Sequence, residues 1–445
     1  MLDFINSQDR EGLIKLGKKY KIIGHLSNFT SPYLTDDQIR LSVIKEMEME
    51  EQIQSQSGGN KNRSLKKKYA KRINSKRLSK KQRDYGVIDN TSLSEIKSFY
   101  DFPRNGKLIG IGDLHGDLQV TIKYLKLAGV IPMSTNHNMT EQKDLDKIEW
   151  VGGNTIVVQV GDQIDRCRPN NWYRDVCADD STYQDEGSDL KIMNLMDNLG
   201  GRAEKVGGKV ISILGNHEMM NCVGDFRYVS PKEFEEFGVY CKAKKTQHKR
   251  IFPYGYKERK QAFSPGGIIA KRYANNRYSI VQVGDWIFCH GGITPISANK
   301  FSFDEVNIGI RNWLMGKRDR KTKEVFEYMY DDDDNGIFWT REFGDLGNWE
   351  DERSSKLFKR TMDTVNSKNN RSMDNLAKGL VVGHTPQYMN NKGINSSCGG
   401  KMWRVDIGAS KAFGPCTNGD YENKFRKCAV LLIENGDECK IIKEK

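Results

Sequence analysis

Short runs of β-branched and other apolar residues, each followed by glycine and a charged or polar residue, recur along the chain from Gly106 onward. We predict a strand from each run, because short apolar strands that end in glycine and polar groups are typical of α/β enzymes, whose sites usually lie at strand ends. The predicted strands are Lys107–Ile111, Thr155–Val160, Lys209–Leu214, Ser279–Cys289 and Leu380–Val382.

Helices and a terminal hairpin complete this pattern. Asp117–Gly129 and Asp189–Leu199 are predicted as helices between the first strands. Cys428–Ile433 and Glu438–Ile442 are predicted to pair as a hairpin, because the intervening Asn435 and Gly436 suit a type I′ turn. Periodicity alone therefore predicts the α/β class.

The first hundred residues differ in character. They are polar, with a helix predicted over Asp36–Gln54 and a basic run over 61–83 that holds 12 Lys and Arg residues and no acidic one. This run accounts for the whole net charge of +12, since 59 basic and 59 acidic residues remain without it. We predict a polar, basic and partly disordered extension over 1–100, followed by one catalytic domain over 101–445.

The basic run has three interpretations: a solvated tail, which is the default, a contact with nucleic acid or another anionic surface, and a nuclear import signal. It holds a single aromatic residue, Tyr69, so stacking on bases is poorly supported. Within the domain, polar stretches near 167–190, 226–276 and 317–336 are predicted as long loops or cap insertions.

Composition also bears on compartment. The chain has no apolar run long enough to span a membrane, and its first residues lack the pattern of a signal peptide. Its nine cysteines form no Cys-x-x-Cys pair, so we predict reduced thiols and no disulfide scaffold or zinc ribbon. An intracellular protein, cytoplasmic or nuclear and not secreted, is the expectation.

The candidate chemistry lies directly after the predicted strands. Four of the seven histidines occur there, each beside glycine, aspartate or asparagine. Imidazole, carboxylate and amide ligands together suit manganese, iron or zinc better than calcium. The segments are Gly112–Asp117 (GDLHGD), Gly161–Arg166 (GDQIDR), Gly215–Glu218 (GNHE), Cys289–Gly292 (CHGG) and Val382–Thr385 (VGHT).

Five such motifs in this order resemble the calcineurin-like metallophosphoesterases, specifically the phosphoprotein phosphatase family. Asn216–Asn221 (NHEMMN) and Gly383–Pro386 (GHTP) are similar to the bacterial-type, Shewanella-like branch. The resemblance implies a central β-sandwich flanked by helices in four αββα layers. It also implies a serine/threonine protein phosphatase, with phosphotyrosine as a further option, that uses a hydroxide activated by two divalent metal ions of manganese, iron or zinc.

The resemblance also implies roles for particular residues. One metal ion would be held by Asp113, His115 and Asp162, and a second by Asp162, Asn216, His290 and His384. His217, oriented by Asp165, would be the general acid, and Arg166, Arg341 and Asn216 would bind the substrate phosphate. Cys167 stands where the family usually has glycine, and Arg227 fits a pocket residue or a structural ion pair equally well. His25, His137 and His248 are predicted to be surface or structural.

Three alternatives stay open from the sequence. A nucleotide or small-molecule hydrolase similar to the diadenosine tetraphosphatases is the second candidate, although no adenine site is evident. A pseudophosphatase scaffold that binds partners through the basic arm is the non-enzymatic one. Residues 331–342 also match the spacing of an EF-hand calcium loop. The glycine-rich sequence that follows is a poor helix, so we interpret that match as coincidence.

Overall fold

The computed structural model describes residues 97–169, 177, 182–241, 253–331, 334–345, 352–415 and 423–444. The helix predicted over Asp36–Gln54 and the basic run over 61–83 lie outside these residues. Backbone contacts divide the chain between Asn90 and Thr91, and the described residues all belong to the second unit. No helix in this part of the chain is long and apolar enough to cross a membrane.

In the part of the chain that the structure describes, twelve strands form two sheets of six strands each. In chain order they are β1 (Phe99–Tyr100), β2 (Leu108–Ile111), β3 (Ile156–Gln159), β4 (Lys209–Ile213), β5 (Arg277–Tyr278), β6 (Ile280–Val283), β7 (Trp286–Cys289), β8 (Gly379–Val382), β9 (Asn395–Ser397), β10 (Met402–Arg404), β11 (Ala429–Glu434) and β12 (Glu438–Lys443). One sheet has the order β1-β6-β7-β8-β10-β9 and the other the order β12-β11-β2-β3-β4-β5. Both sheets mix parallel and antiparallel pairs.

Helices flank the two sheets. In chain order they are α1 (Leu118–Leu127), α2 (Gln142–Leu145), α3 (Asp189–Glu204), α4 (Asn216–Val223), α5 (Pro231–Tyr240), α6 (Tyr256–Phe263), α7 (Ile268–Asn276), α8 (Pro295–Lys300), α9 (Phe303–Leu314), α10 (Arg320–Phe326) and α11 (Glu352–Lys368). α1 and α3 contact the sheet that contains β2, and α9 contacts the sheet that contains β6.

The main core lies between the sheets. A Cβ atom placed on Gly110 of β2 would lie 3.5 Å from Val381 and 3.6 Å from Phe288, both on the opposite sheet. Position 110 therefore lies between the two sheets, where a side chain would make ordinary van der Waals contacts, and the apolar runs that predicted the strands fill the space around it. The predicted α/β sandwich with flanking helices is confirmed.

The predicted strands and hairpin are all present, with one refinement. Ser279–Cys289 is not a single strand but the antiparallel pair β6 and β7, which turns at Gly284 and Asp285. Gly284 has a φ of 56°, a left-handed conformation that glycine adopts without strain. An apolar run with one Gly-Asp step therefore encodes two strands and a turn.

The stretch 226–276 was predicted as a loop or cap insertion, and its described residues contain three helices, α5, α6 and α7. The first begins with a capping box, in which the Ser230 hydroxyl accepts from the Glu233 backbone N–H at 3.2 Å and the Glu233 carboxylate accepts from the Ser230 N–H at 2.7 Å. Pro231 occupies the first helical position, where its missing N–H costs nothing. The sequence analysis missed these helices because the stretch is polar in composition.

The prediction of nine reduced thiols is wrong for two cysteines. Cys167 and Cys177 form a disulfide, with their Cα atoms 6.2 Å apart. That separation is within the normal range for a disulfide. The two cysteines are ten residues apart in the chain. That spacing alone does not show that they form a disulfide. The other described cysteines carry thiols that are not part of a disulfide: Cys222, Cys241, Cys289, Cys398, Cys428 and Cys439.

A buried ion-pair cluster fixes β5 against α3. Asp197 of α3 lies 2.8 Å from Arg272 Nε and also pairs with Arg277 at the start of β5. Burial by itself would raise the pKa of Asp197, but Arg277 and Arg272 outweigh burial and lower the pKa from 3.8 to about 2.

We therefore expect Asp197→Asn to lower the free energy of unfolding at neutral pH by about 2 kcal/mol. The folded-state pKa lies below the unfolded one, so this stabilisation is present above the unfolded value of 3.8 and is lost as pH falls toward about 2. Urea unfolding at several pH values should show the gap between wild type and variant closing over that interval. Asp363→Asn, at an exposed position of α11, is the matched control. A gap that does not depend on pH would contradict the prediction.

Candidate metal centre and phosphate site

The predicted ligand residues all follow strands. β2, β3 and β4 are parallel neighbours, and their ends lead into Asp113, Asp162 and Asn216. β7 and β8, which are parallel in the other sheet, lead into His290 and His384. Because parallel strands end at the same edge of a sheet, these side chains are delivered to one place.

The Asp162 carboxylate lies at the middle of the resulting cluster. Its Oδ2 is 3.3 Å from His290 Nε2, 3.8 Å from His217 Nε2 and 3.9 Å from His115 Nε2. Ligand atoms of Asp162, His115 and His217 lie within 4.8 Å of one another, and so do those of Asp162, His290 and His384. The distances to His115 and His290 suit a carboxylate shared between two neighbouring cation positions.

Asn216 and Asp113 complete the cluster on either side. Asn216 Oδ1 is 2.8 Å from His290 Nε2 and 3.0 Å from His384 Nδ1. Asp113 Oδ2 is 3.8 Å from His115 Nε2 and accepts from the His384 backbone N–H at 3.1 Å. All six residues predicted as metal ligands therefore meet in one buried cluster.

Two features of the cluster fit divalent cations. Burial, Asp406 and Asp162 together raise the pKa of Asp113 well above its usual range, so the carboxylates repel one another. Burial lowers the pKa of His115 and of His384 well below the usual range, which favours the neutral imidazole that binds metals. Asp406 was assigned no role from the sequence, although it lies close enough to Asp113 to disturb its ionisation.

Backbone strain is concentrated at this cluster. His115, Asp162, Asp165 and His384 have φ values of 45°, 54°, 74° and 66°, which side-chain-bearing residues rarely adopt. Gly215 is required for a different reason, since a Cβ there would lie 2.1 Å from Asp162 Oδ1. The loops hold these conformations to aim the donor atoms inward.

Glu218 holds two of the loops together. Its carboxylate accepts from the backbone N–H groups of Asp162 at 2.9 Å, Gln163 at 2.8 Å and Gly215 at 2.7 Å. The sequence analysis included Glu218 in a motif but gave it no role. Its position, two residues after Asn216 in the first turn of α4, explains how it reaches all three donors.

His217 and Asp165, the predicted general acid and its orienting group, are hydrogen-bonded. His217 Nδ1 is 2.8 Å from Asp165 Oδ2, and the other ring nitrogen, Nε2, faces Asp162. Asn216 and His217 are adjacent in the first turn of α4. The same helix end therefore places a predicted metal ligand and the predicted general acid side by side. The imidazole is thus oriented with one nitrogen toward the cluster.

Two residues without a predicted role secure Asp165. Asn221 Nδ2 donates to both carboxylate oxygens, at 2.9 and 3.0 Å, and Arg259 Nη2 lies 3.2 Å from Oδ1. Arg259 also donates from Nε to Asn221 Oδ1 at 2.8 Å and is fully buried. It comes from α6, inside the stretch predicted as an insertion, where no local motif indicated a functional arginine.

The predicted phosphate-binding arginines lie in different settings. Arg341 Nη1 donates to the His384 carbonyl at 2.9 Å and to Thr385 Oγ1 at 3.2 Å, and the side chain is exposed. Arg166 is 1% exposed and pairs with Asp117 at 3.1 Å and Glu186 at 3.4 Å. This buried ion pair leaves the phosphate-binding role predicted for Arg166 without support.

The structure also bears on Arg227, on the EF-hand match and on the remaining histidines. Arg227 pairs with Asp225, with Nη2 2.7 Å from Oδ2, which favours the structural interpretation. Residues 332–333 of the EF-hand match lie outside the described residues. Described residues 334–345 form turns rather than the helix that an EF-hand needs, which agrees with coincidence. His25 and His248 also lie outside the described residues.

A family model described as Metallophos, calcineurin-like phosphoesterase, matches residues 106–407. The match covers more than half of the chain and all five strand-end motifs. The chain belongs to the calcineurin-like phosphoesterases. It is therefore a hydrolase that acts on phosphate esters, and the family implies that it binds divalent metal ions.

Two relatives carry a more specific name. Shewanella-like protein phosphatase 2 of Arabidopsis thaliana is 30% identical over 357 residues, which cover 74% of this chain and 77% of the relative. Shewanella-like protein phosphatase 1 of Plasmodium berghei (strain Anka) is 29% identical over 331 residues, 73% of each chain. The crystal structure of the cold-active protein-tyrosine phosphatase of a psychrophilic Shewanella species aligns with a TM-score of 0.48 and 19% identity, over 80% of this chain and 87% of that one.

Proposed function

We propose that this phosphoesterase is a protein phosphatase that removes phosphate from phosphoserine and phosphothreonine, with phosphotyrosine as a further substrate class. The observation that carries the proposal is the convergence of five strand-end loops on the Asp162 carboxylate, beside an imidazole oriented as a general acid. The names of the relatives support phosphoproteins as the substrate class.

In this proposal, one divalent ion would be held by Asp113, His115 and Asp162, and a second by Asp162, Asn216, His290 and His384. Ions of manganese, iron or zinc match these nitrogen and oxygen donors. Two such ions, when bound, lower the pKa of water and stabilise charge on phosphoryl oxygens.

The remaining residues bind the substrate and move a proton. Arg341 is exposed beside His384, and in this proposal it binds a phosphate oxygen with donors other than Nη1. His217 carries a proton at Nε2 and gives it to the leaving oxygen of the substrate, as general acid catalysis requires. Asp165 holds Nδ1 of the same ring and so fixes the orientation of Nε2.

The test is a panel of phosphoserine, phosphothreonine and phosphotyrosine peptides, assayed with manganese, iron or zinc and compared with diadenosine tetraphosphate. We expect phosphate release from the peptides in the presence of metal and none after chelation. Preferential hydrolysis of the dinucleotide would contradict the protein phosphatase proposal and favour the nucleotide hydrolase. Wild-type protein that releases no phosphate with any of the three metals would favour the scaffold.

The location and the partners stay predictions from the sequence. A cytoplasmic or nuclear location was expected, whereas the Cys167–Cys177 disulfide is more typical of an oxidising compartment. Contact of residues 61–83 with nucleic acid or another anionic surface predicts an affinity that falls steeply with salt.

A further inference from the structure

Arg168 lies between two aromatic rings that border the cluster. Its guanidinium carbon is 4.5 Å from the ring centre of Phe413 and 5.5 Å from that of Tyr228. The Phe413 ring in turn lies 5.4 Å from the His115 ring, and the Tyr228 ring 4.6 Å from the His217 ring. The guanidinium is therefore next to the half of the cluster that contains the first ion's histidine and the general acid.

The donors of Arg168 are only partly used. Nη1 donates to the backbone carbonyls of Asp165 at 3.1 Å and Cys167 at 2.8 Å. Within the part of the chain that the structure describes, Nε and Nη2 make no hydrogen bond, and no carboxylate forms an ion pair with Arg168. The edge of the half-buried guanidinium that carries Nε and Nη2 is therefore available to a ligand. Its two parallel N–H donors match the spacing of two phosphate oxygens.

Neighbouring arginines contrast with this one. Arg166 pairs with Asp117 and Glu186, Arg227 with Asp225, and Arg259 with Asp165 and Asp189. Arg168, held instead by rings and carbonyls, keeps its positive charge unneutralised by any direct partner in the described structure. An anionic ligand beside Arg168 would take the place that a carboxylate takes beside each of the other three arginines.

The charge of Arg168 acts on the cluster. After burial, Arg168 is the largest cause that lowers the pKa of His115. Burial raises the pKa of Tyr228 to about 12, and Arg227, Arg168 and Arg341 all oppose that rise. Arg168 and Arg341 are therefore both within electrostatic range of the same phenol, one beside His115 and the other beside His384.

We propose that Arg168, rather than Arg166, binds the substrate phosphate opposite Arg341. This inference rests on the proposed phosphatase function and names a residue of its phosphate site. The loop is fixed for that role, since Cys167 N–H donates to the Tyr228 carbonyl at 2.9 Å and Cys167 is bonded to Cys177. The Arg168 side chain therefore loses little conformational entropy when it binds the phosphate.

The test compares four variants of the metal-loaded protein with wild type: Arg168→Ala, Arg168→Lys, Arg166→Lys and Arg353→Ala. Arg353 is an exposed arginine on α11 and serves as the control. Calorimetry measures the Kd of inorganic phosphate, a phosphopeptide assay measures kcat/KM, and thermal unfolding measures Tm.

We expect Arg168→Ala to raise the phosphate Kd by about 10- to 100-fold with little change in Tm, because the charged hydrogen bonds are lost at a partly exposed position. Arg168→Lys should lie between, since it keeps the charge and loses the planar fork. Arg166→Lys should lower Tm by up to about 10 °C, because it loosens a buried ion pair, and should leave the phosphate Kd of the folded protein close to wild type.

Two results would overturn the inference. Either Arg168→Ala binds phosphate as tightly as wild type, or Arg166→Lys loses phosphate affinity while its Tm is unchanged. Wild-type protein that neither binds phosphate nor hydrolyses phosphopeptides would instead overturn the proposed function itself, and this inference with it. Failure of the two proposals is therefore distinguishable.

Discussion

Asp162→Asn is expected to lower kcat/KM toward a phosphoserine peptide by about 10³-fold or more. The substitution keeps the shape of the side chain but removes the charge that lies between His115 and His290. Bound metal contributes several kcal/mol of transition-state stabilisation, and each 1.36 kcal/mol corresponds to a factor of ten in rate. Steady-state assays with a fixed, defined metal measure the loss.

The same variant separates loss of metal from loss of fold. In the metal-free protein Asp162 is one of several buried carboxylates that repel each other, and it is a cause of the raised pKa of Asp113. Burial by itself would also raise the pKa of Asp162, but His290, His217 and His115 outweigh burial and hold that pKa well below its usual range. Its charge therefore stabilises the metal-free fold at neutral pH, and Asp162→Asn should lower the metal-free Tm. Thermal unfolding shows whether the variant is still folded at the assay temperature. Elemental analysis of the reconstituted variant should find less bound metal than in wild type.

Asp437→Asn provides the control, because Asp437 is exposed in the β11–β12 turn, away from the strand-end loops. It should match wild type in metal content, Tm and rate. A folded Asp162→Asn protein that retains full activity would remove the shared carboxylate from the mechanism.

How far the sequence predicts this site depends on where a residue lies. Asp113, Asp162, Asn216, His290 and His384 could be recognised as candidates because each follows an apolar strand within three residues. Their assignment as metal ligands came from the family resemblance. A strand direction and a short glycine-containing loop leave few places for such a side chain to go. Local sequence therefore determines the metal cluster to a large extent.

Arg259 shows where such prediction stops. It is 94 residues from its partner Asp165 in the chain and lies on a helix whose polar sequence suggested an insertion. Only the packing of α6 against α4 and α5 brings it to the cluster. Long-range ion pairs of this kind have no local signature.

The neighbouring Arg166 and Arg168 illustrate a related limit. A motif shows which arginine follows Asp165, but not that Asp117 and Glu186 lie where they can bind it. The partner rings of Arg168 are similarly distant, since Phe413 is near the end of the domain. Assigning the phosphate-binding arginine requires the tertiary structure.

The short edge strand β9 was missed for a different reason. Asn395–Ser397 contains one asparagine and two serines, which have low strand propensity, and its pairing with β10 comes from the position of the chain at the edge of a sheet. Three residues are also too few to show an alternating pattern. Tertiary context rather than local preference sets this strand.

The second large effect is expected from His217→Gln, which should lower kcat for a phosphoserine peptide by about 10²- to 10⁴-fold, the usual contribution of general acid catalysis. Glutamine cannot donate a catalytic proton at neutral pH. The fold should tolerate the change, because Asp165 keeps its hydrogen bonds from Asn221 and Arg259 when the imidazole is gone.

The leaving group distinguishes loss of an acid from loss of structure. A serine alkoxide is strongly basic and needs a proton as it departs, whereas the nitrophenolate of p-nitrophenyl phosphate leaves readily without one. His217→Gln should therefore lose far less activity toward the aryl ester than toward the peptide. His137→Gln, at a half-buried position between α1 and α2, is the control and should leave both rates unchanged. Equal losses on the two substrates would show that His217 supports the site in another way, because proton donation is the step whose importance depends on the basicity of the leaving oxygen.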